Sequence, residues 1–290
     1  MDKSEGVLIT QTIDWLSYTI SWHELDKDAL TTLDGQRASM PHLVHVEGDW
    51  TRDVPLHGYE DAWVNKEGGN ARVMISRPGH AMGVHVQLPG QALAKMHPLD
   101  ILQTVEACKA SVTRIDIAID FHGVSDPEDC YQAFMLGAAE TRAANVNLIT
   151  GTKGKTCYVG SRSSERYLRV YDKAAQTQTE GDWTRIELEC KGRVAKWVAK
   201  TVKEKGYNAI PPIIRKFFAA PKIDWYERAT TVRDAEIGTP EPKKMTDTRG
   251  WLLGVVAKTL AKETKEDTEF LLTFLREVQK LRGMDEISED

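Results

Sequence analysis

Residues 112–121 read VTRIDIAIDF, and this stretch decides the fold. Isoleucines occupy positions 115, 117 and 119, while Arg114, Asp116 and Asp120 lie at alternate positions. Successive side chains of a β-strand point to opposite faces of a sheet, so the stretch predicts a strand with one apolar and one ionisable face. Helices elsewhere in the chain are expected to cover the isoleucines.

Two later stretches repeat this alternation of ionisable and apolar side chains. The first is residues 167–173 (YLRVYDK), the second is residues 183–190 (WTRIELEC), and nine residues separate them. A connection of this length lets the two strands close as an antiparallel hairpin. If Lys173 lies opposite Trp183, one sheet face carries three facing pairs: Tyr171 with Arg185, Arg169 with Glu187, and Tyr167 with Glu189.

The rest of the chain predicts further strands and several helices. β-Branched and aromatic residues favour strands at four more places: 6–22, 71–77, 83–88 and 155–160. Helical patterns begin near positions 98, 127, 194 and 211, and the second of them runs to about residue 142. We therefore expect an α+β protein: a mostly antiparallel β-sheet with helices packed on one face, plus a small C-terminal helical appendix.

A linker is predicted at residues 234–247 (DAEIGTPEPKKMTD), where prolines, charges and a glycine interrupt every regular pattern. Residues 1–233 are then expected to form one α+β domain. Residues 248–290 are expected to form a helical C-terminal segment, because apolar residues recur at helical spacing in 251–260 and 268–281.

The composition argues against several classes of protein. The 290 residues carry a net charge of −5 and are 41% hydrophobic, which is enough to build a sizeable core. Apolar runs fall far short of the roughly 20 residues that a membrane helix needs. The opening MDKSEG does not read as a secretory signal, and four cysteines without a C-x-x-C spacing favour neither a zinc ribbon nor a disulfide framework. We expect a soluble protein of a reducing compartment, with no membrane partner.

Positive charge is concentrated in one part of this acidic chain. Residues 151–219 contain 15 Lys and Arg against 7 Asp and Glu. Such an asymmetry can steer a polyanion to one surface, although a solvated helix face accounts for the charges of 193–205 as well. If the block binds DNA, seven side chains are the predicted phosphate contacts: Lys153, Lys155, Arg162, Arg166, Lys196, Lys200 and Lys203.

The shared ionisable face has the residue types of a phosphodiester-cleaving site. Carboxylates without nearby histidine or cysteine suit Mg²⁺ or Mn²⁺. Asp116 and Asp120 lie ~13 Å apart along a strand, so one ion cannot bind both. One of these two aspartates, together with either Glu187 or Glu189 on the facing strand, is therefore the predicted ligand pair. The plainer interpretation is the wet face of an antiparallel sheet with cross-strand ion pairs.

Four stretches together resemble a known family. An R-x-D-x-A-x-D strand at 114–120 precedes a Y-x-G-S-R segment at 158–162, an R-x-Y-D-K strand at 169–173 and an R-x-E strand at 185–187. In this order they are similar to the replication initiation factor (Rep_trans-type) family, the rolling-circle replication initiators of certain plasmids and filamentous phages. The resemblance covers residues 8–220 and leaves the C-terminal segment outside.

The resemblance implies a metal-dependent endonuclease that nicks and rejoins DNA at a replication origin. The family's nucleophile corresponds to Tyr171, which would remain attached to the cut strand as a 5′-phosphotyrosine while the freed 3′-OH primes synthesis. Asp116 and Glu187 would hold the metal, with Asp120 and Glu189 in reserve. The hairpin register adds Arg185 and Lys173 as cations that stabilise a Tyr171 phenolate and bind the scissile phosphate, and Arg169 is the third catalytic cation.

The resemblance implies DNA and helicase partners and the cytoplasm of a bacterial host as the location, and two other classes of function stay open. The expected partners are double-stranded origin DNA, its nicked single strand and a host helicase, and residues 248–290 are expected to serve dimerisation or helicase contact. Tyr167 and Tyr158 are the rival nucleophiles. The alternative functions are a non-catalytic phage or plasmid DNA-binding regulator with the same fold, and a protein-interaction module.

Overall fold

The structure is a computed structural model that describes residues 7–24, 46–76, 82–139, 141, 143, 145–220, 222–231, 237–241, 269, 272–273 and 275–277. The chain divides into two compact units, Met1–Pro240 and Glu241–Asp290. The division falls inside the predicted linker at 234–247. The described residues from 269 onward are helical, and the helix predicted at 251–260 lies outside the described part.

One ten-stranded sheet organises the first unit, and all its neighbouring strands are antiparallel. The strands run in the order β2-β3-β4-β5-β1-β6-β10-β9-β8-β7. Their bounds are β1 Leu8–Ile20, β2 Thr51–Asp53, β3 Asp61–Asn65, β4 Ala71–Ile75, β5 Val84–Pro89, β6 Ser111–His122, β7 Val146–Gly151, β8 Gly154–Gly160, β9 Arg166–Asp172 and β10 Trp183–Lys191.

Seven α-helices are described in this unit, which confirms the predicted α+β class. They are α1 Gly90–Leu93, α2 Pro98–Ala107, α3 Pro127–Met135, α4 Lys173–Thr177, α5 Gly192–Lys205, α6 Ile210–Phe217 and α7 Asp224–Thr230. A 3₁₀ turn, Tyr207–Ala209, joins α5 to α6. Residues of α2, α3, α5, α6 and α7 share one hydrophobic core with the isoleucines of β6, so these helices cover one face of the sheet.

Strand β6 lies at the centre and divides the sheet into an apolar face and a polar face. Ile115, Ile117 and Ile119 are fully buried against the helices. Asp116 and Asp120 point the other way because side chains alternate along a strand. The face that carries these two aspartates is called the polar face below.

Strand β1 carries an extra residue beside β6. Ile13 faces Ile117 and Trp15 faces Asp116, so Asp14 has no partner on β6 and forms a β-bulge. The bulge puts the Trp15 side chain on the polar face next to Asp116.

Some elements differ from the sequence-based prediction. Helix α3 ends at Met135 rather than near residue 142, because Gly137 adopts a positive φ of 67° that no helix accommodates. Pro211 and Pro212 lie inside the first turn of α6, where a missing N–H costs no hydrogen bond. The edge strands β2 and β7, the short strand β3 beside β2, and the helices α1, α4 and α7 were not predicted.

Candidate active site

The hairpin of β9 and β10 has the predicted register. Tyr171 faces Arg185, Arg169 faces Glu187, and Tyr167 faces Glu189. The ladder stops one pair earlier than predicted, so Lys173 does not face Trp183. Asp172 ends the strand because its carboxylate accepts a hydrogen bond from the Ala175 N–H at 2.8 Å, which caps α4 with Lys173 as its first residue.

Strand β6 completes the polar cluster. Asp116 faces Glu189 and Asp120 faces Arg185 across the β6–β10 ladder. The plainer interpretation, a wet face, is wrong for these side chains, since Asp116 is 1% exposed and Glu187 is 3% exposed. Long neighbours exclude the water: the Arg114 guanidinium lies 4.7 Å from the centre of the Trp15 ring, over Asp116.

Asp116 and Glu187 converge on one positively charged atom. Arg169 Nη2 donates to Asp116 Oδ2 at 3.2 Å and also to Glu187 Oε1. Arg114 binds Asp116 through two nitrogens, Nε to Oδ1 at 2.9 Å and Nη2 to Oδ2 at 2.5 Å. Burial raises the pKa of the Asp116 carboxyl, while Arg114 and Arg169 oppose that rise.

The place where Asp116 and Glu187 converge is the candidate site for a divalent metal ion. Within the described residues, no group of three or more His, Cys, Asp or Glu side chains could hold a metal ion. Mg²⁺ is, however, often held by only one or two carboxylates together with phosphate oxygens and water. Asp116 and Glu187 offer such a pair of hard oxygen donors directed at one cation, so their chemistry fits Mg²⁺ or Mn²⁺ at the place that Arg169 Nη2 occupies.

The two reserve carboxylates, Asp120 and Glu189, pair with arginine and lysine side chains. Asp120 accepts two hydrogen bonds from Arg185 at 2.8 Å, from Nε and Nη2, and a third from Trp183 Nε1 at 2.7 Å. Glu189 pairs with Lys191 at 2.6 Å and with Arg114 at 2.9 Å. Asp120 therefore orients Arg185, and Glu189 closes the cluster on the side away from Tyr171.

The Tyr171 hydroxyl donates to Glu187 Oε2 at 3.0 Å. Burial and the Glu187 charge raise the Tyr171 pKa above its usual range, and the opposing charge of Arg185 does not cancel them. Arg185 thus favours a phenolate as expected, but its effect on the Tyr171 pKa is smaller than that of burial and Glu187. Lys173 Nζ lies 5.6 Å from the centre of the Tyr171 ring, and burial followed by Arg185 lowers the Lys173 pKa.

Glu187 is positioned to receive the Tyr171 proton. Burial is the main cause that raises its pKa to about 7, with Arg169 opposing and Asp116 adding to the rise. One oxygen faces Arg169 and the other faces the Tyr171 hydroxyl. The carboxylate can thus hold a cation on one side and act as a base on the other.

Asp14 belongs to the site, although the sequence analysis gave it no role. Its Oδ1 accepts a hydrogen bond from Arg185 Nη1 at 2.6 Å, which is the third bond on that guanidinium. A Cβ on Gly90 would lie 2.7 Å from Asp14 Oδ1, so the Pro89-Gly90 turn must keep its glycine for this approach. Asp14, Arg185 and Lys173 line one end of a cleft of about 820 Å³. The motif Ile13-Asp14-Trp15 was the available signal, but a bulge cannot be read from alternation.

The seven predicted DNA contacts do not form one surface. Lys155 is paired with Asp126 at 2.8 Å and Glu128 at 2.7 Å. Lys196, Lys200 and Lys203 are on α5, which packs on the apolar face of the sheet. Lys203 also pairs with Glu106. These three lysines therefore lie across the sheet from Tyr171.

The other three predicted contacts belong to the β7–β9 region. Lys153 is exposed in the turn between β7 and β8. The Arg162 guanidinium lies 6.0 Å from the Tyr167 ring centre, and the Arg166 guanidinium lies 4.6 Å from the Phe217 ring centre. Of the seven, Arg162 thus contacts an aromatic residue of the polar face.

The family model of the replication initiation factors matches residues 110–278, more than half of the chain. The chain belongs to this family. None of the helices in the described part of the chain is long and apolar enough to cross a membrane.

Two relatives make the placement more specific. The chain is 24% identical over 225 residues to the putative DNA relaxase NicK of Bacillus subtilis (strain 168), a match that covers 67% of this chain but 59% of that protein. The chain thus spans less than two thirds of that relative. The fold is similar to that of a rolling circle replication initiator protein from Geobacillus stearothermophilus, with a TM-score of 0.61, 16% identity, and coverage of 83% of this chain and 91% of that one.

Proposed function

We propose that this protein is a rolling-circle replication initiator that nicks and rejoins one strand of its origin DNA, with Tyr171 as the nucleophile. The observation that carries the proposal is the hydrogen bond from the Tyr171 hydroxyl to Glu187 Oε2 at 3.0 Å, beside Arg185 on the facing strand. A neutral phenol with a carboxylate acceptor in place is an activated nucleophile. Family membership supports the same activity.

The cleavage step balances with these residues. As the Tyr171 oxygen attacks phosphorus, Glu187 Oε2 accepts the phenol proton. The bond from phosphorus to the 3′ oxygen breaks, and the 5′ phosphate stays on Tyr171 as a phosphotyrosine. The 3′ oxygen takes up one proton, which balances the proton given to Glu187. Rejoining is the reverse: the 3′-OH attacks and Tyr171 recovers its proton.

Arg185 and Arg169 are the proposed phosphate-binding cations. Three of the five N–H donors of Arg185 are used by Asp120 and Asp14, which leaves two donors on a fixed guanidinium. Arg169 Nε is buried without a hydrogen-bond partner. Unsatisfied and spare donors of this kind are suited to the oxygens of a scissile phosphate.

Mg²⁺ or Mn²⁺ is the proposed cofactor, with Asp116 and Glu187 as its protein ligands; Arg169 would then give up its bonds to these carboxylates and bind the phosphate instead. Bound there, the ion would supply Lewis-acid polarisation of the phosphate. The proposed partners are the duplex origin, its nicked strand and a host helicase, and residues 248–290 are the proposed segment for dimerisation or helicase contact.

Nicking of a supercoiled plasmid that carries the cognate origin tests the proposal, with Mg²⁺ or Mn²⁺ present and nicked circles as the readout. Tyr171→Phe should bind the origin normally but lower nicking at least about 10³-fold and form no covalent adduct, because only the hydroxyl is lost. Tyr167→Phe and Tyr158→Phe are the matched controls and should still form the adduct. An adduct formed by the Tyr171→Phe protein would show that the assignment is wrong.

A further inference from the structure

Tyr171 lies between two stacked aromatic pairs on the polar face. On one side, the rings of His122 and Trp183 are 5.1 Å apart at their centres and 24° from parallel. On the other side, the rings of Tyr158 and Tyr167 are 5.7 Å apart and 16° from parallel. Both pairs point in the same direction as the Tyr171 side chain.

The strand register puts Tyr171 midway between the pairs. On β10, Arg185 comes two residues after Trp183 and faces Tyr171. Glu187 comes two residues after Arg185 and faces Arg169 on β9. Arg169 in turn faces Tyr158 on β8. With about 3.3 Å per residue and about 4.8 Å per strand, Trp183 and Tyr158 are about 16 Å apart at the backbone. The nucleophile is one strand and two residues from each of them.

The outer rings of the pairs reach solvent. Tyr158, His122 and Trp183 are half-buried, whereas Tyr167 and Tyr171 are buried. Trp183 is held by its bond to Asp120, and Tyr167 has Arg162 over its ring. Rigid aromatic rings beside an arginine form a stacking surface for nucleobases.

We infer that the two pairs, His122–Trp183 and Tyr158–Tyr167, are base-stacking positions for the unpaired DNA strand, one on each side of the scissile phosphate. The inference rests on the proposed function and specifies the substrate of that site as single-stranded DNA. An intact duplex stacks its bases on one another and offers them no face. Stacking of one flanking base on each pair holds the phosphate between them at Tyr171.

Binding of an oligothymidylate that carries one 2-aminopurine tests the inference, because stacking on aromatic side chains tolerates any base. Tyr158→Ala and His122→Ala in the full chain should each weaken binding about tenfold, equal to about 1.4 kcal/mol. Tyr158→Phe and His122→Phe keep a ring and should bind within about twofold of the unaltered protein. Binding should also quench the 2-aminopurine fluorescence, and less so with the alanine variants.

Three outcomes would overturn the inference: unchanged affinity in both alanine variants, equal losses in the alanine and phenylalanine variants, or no quenching in the unaltered protein. If an alanine variant unfolds at a lower temperature, the phenylalanine variant and the quenching decide. The binding assay for base stacking is independent of the nicking assay for Tyr171. A protein whose Tyr171→Phe variant fails to nick, but whose alanine variants bind normally, has the proposed function without these stacking positions.

Discussion

The two faces of strand β6 are equally buried but chemically opposite. Ile117 is 0% exposed on the apolar face, and Asp116 is 1% exposed on the polar face. Buried ion pairs stabilise a fold no better than apolar side chains of similar volume, because desolvation offsets their attraction. The apolar face therefore accounts for the stability of the sheet, whereas the polar face is better explained by chemistry. Substitutions on each face can break or sharpen this contrast.

The largest stability effect is expected where one charge of the polar face loses its partner. Asp120→Leu leaves Arg185 buried with only Asp14 as a partner, so the free energy of unfolding should fall by about 3–5 kcal/mol. Denaturant-induced unfolding measures this change.

The double variant Asp120→Leu/Arg185→Met is the control. Removing both charges should restore the free energy of unfolding to that of the unaltered protein or above it, while abolishing nicking. A double variant as unstable as Asp120→Leu alone would mean that the polar face contributes to stability through its charges.

The next effect is the dependence of the free energy of unfolding on pH, and it comes from His85. This residue lies on β5, on the polar face of the sheet. His85 Nδ1 lies 2.8 Å from Thr19 Oγ1 and its ring stacks on Tyr59. Burial, followed by the charge of His57, lowers the His85 pKa from 6.5 to about 4. Between pH 6.5 and about pH 4, His85 therefore binds a proton in the unfolded chain but not in the folded chain.

Stability should accordingly be full above pH 6.5 and decline as the pH falls toward 4, by at most about 3 kcal/mol from this residue. Unfolding curves at several pH values check the decline, and His85→Gln should make the dependence shallower. An unchanged slope in that variant would contradict the role of His85.

A smaller effect is expected on the apolar face. Ile117→Val removes one methyl group from the fully buried layer, so the free energy of unfolding should fall by about 0.5–1.5 kcal/mol. Nicking at a temperature well below unfolding should not change. Reduced nicking by a stable Ile117→Val protein would show that the two faces are coupled.

The smallest effect separates the basic residues of the two sides. For oligothymidylate, Arg162→Gln should reduce the slope of log affinity against log salt by about 0.7, the share of one phosphate contact on a single strand. Lys200→Gln, on α5 across the sheet, should leave the slope unchanged and serves as the matched control. An unchanged slope for Arg162→Gln would show that Arg162 makes no phosphate contact, and a reduced slope for Lys200→Gln would place the single strand on the helical side of the sheet.

Much of the site was predictable because it depends on alternation. The faces of β6 and the pairing of Tyr171 with Arg185 follow from a period of two and a short connection. Burial of the polar face was not predictable, since it depends on contacts between strands, such as that of Trp15 on β1 with Arg114 on β6. The raised Tyr171 pKa follows from that burial and was missed with it.

Two strands of the sheet could not be predicted from their local sequence pattern. Strands β2 and β3 have three and five residues at one end of the sheet, which is too short for a pattern. The family resemblance was recognisable because its four motifs are short and local in sequence; they lie on the four adjacent strands β6, β10, β9 and β8, and one of them continues into the loop after β8.

The bulge in β1 has a consequence for how the chain tolerates insertion and deletion. Without Asp14, Ile13 would still face Ile117 and Trp15 would still face Asp116, so both flanks of the strand would keep their faces. Removal of a residue from the middle of the first half of β1, such as Thr10, would instead turn the side chains that precede it to the wrong side of the sheet. Asp14 is thus an extra residue that the fold does not require. Its carboxylate accepts a hydrogen bond from Arg185. A gain or loss of one residue at this point would alter the chemistry of the site and leave the architecture intact.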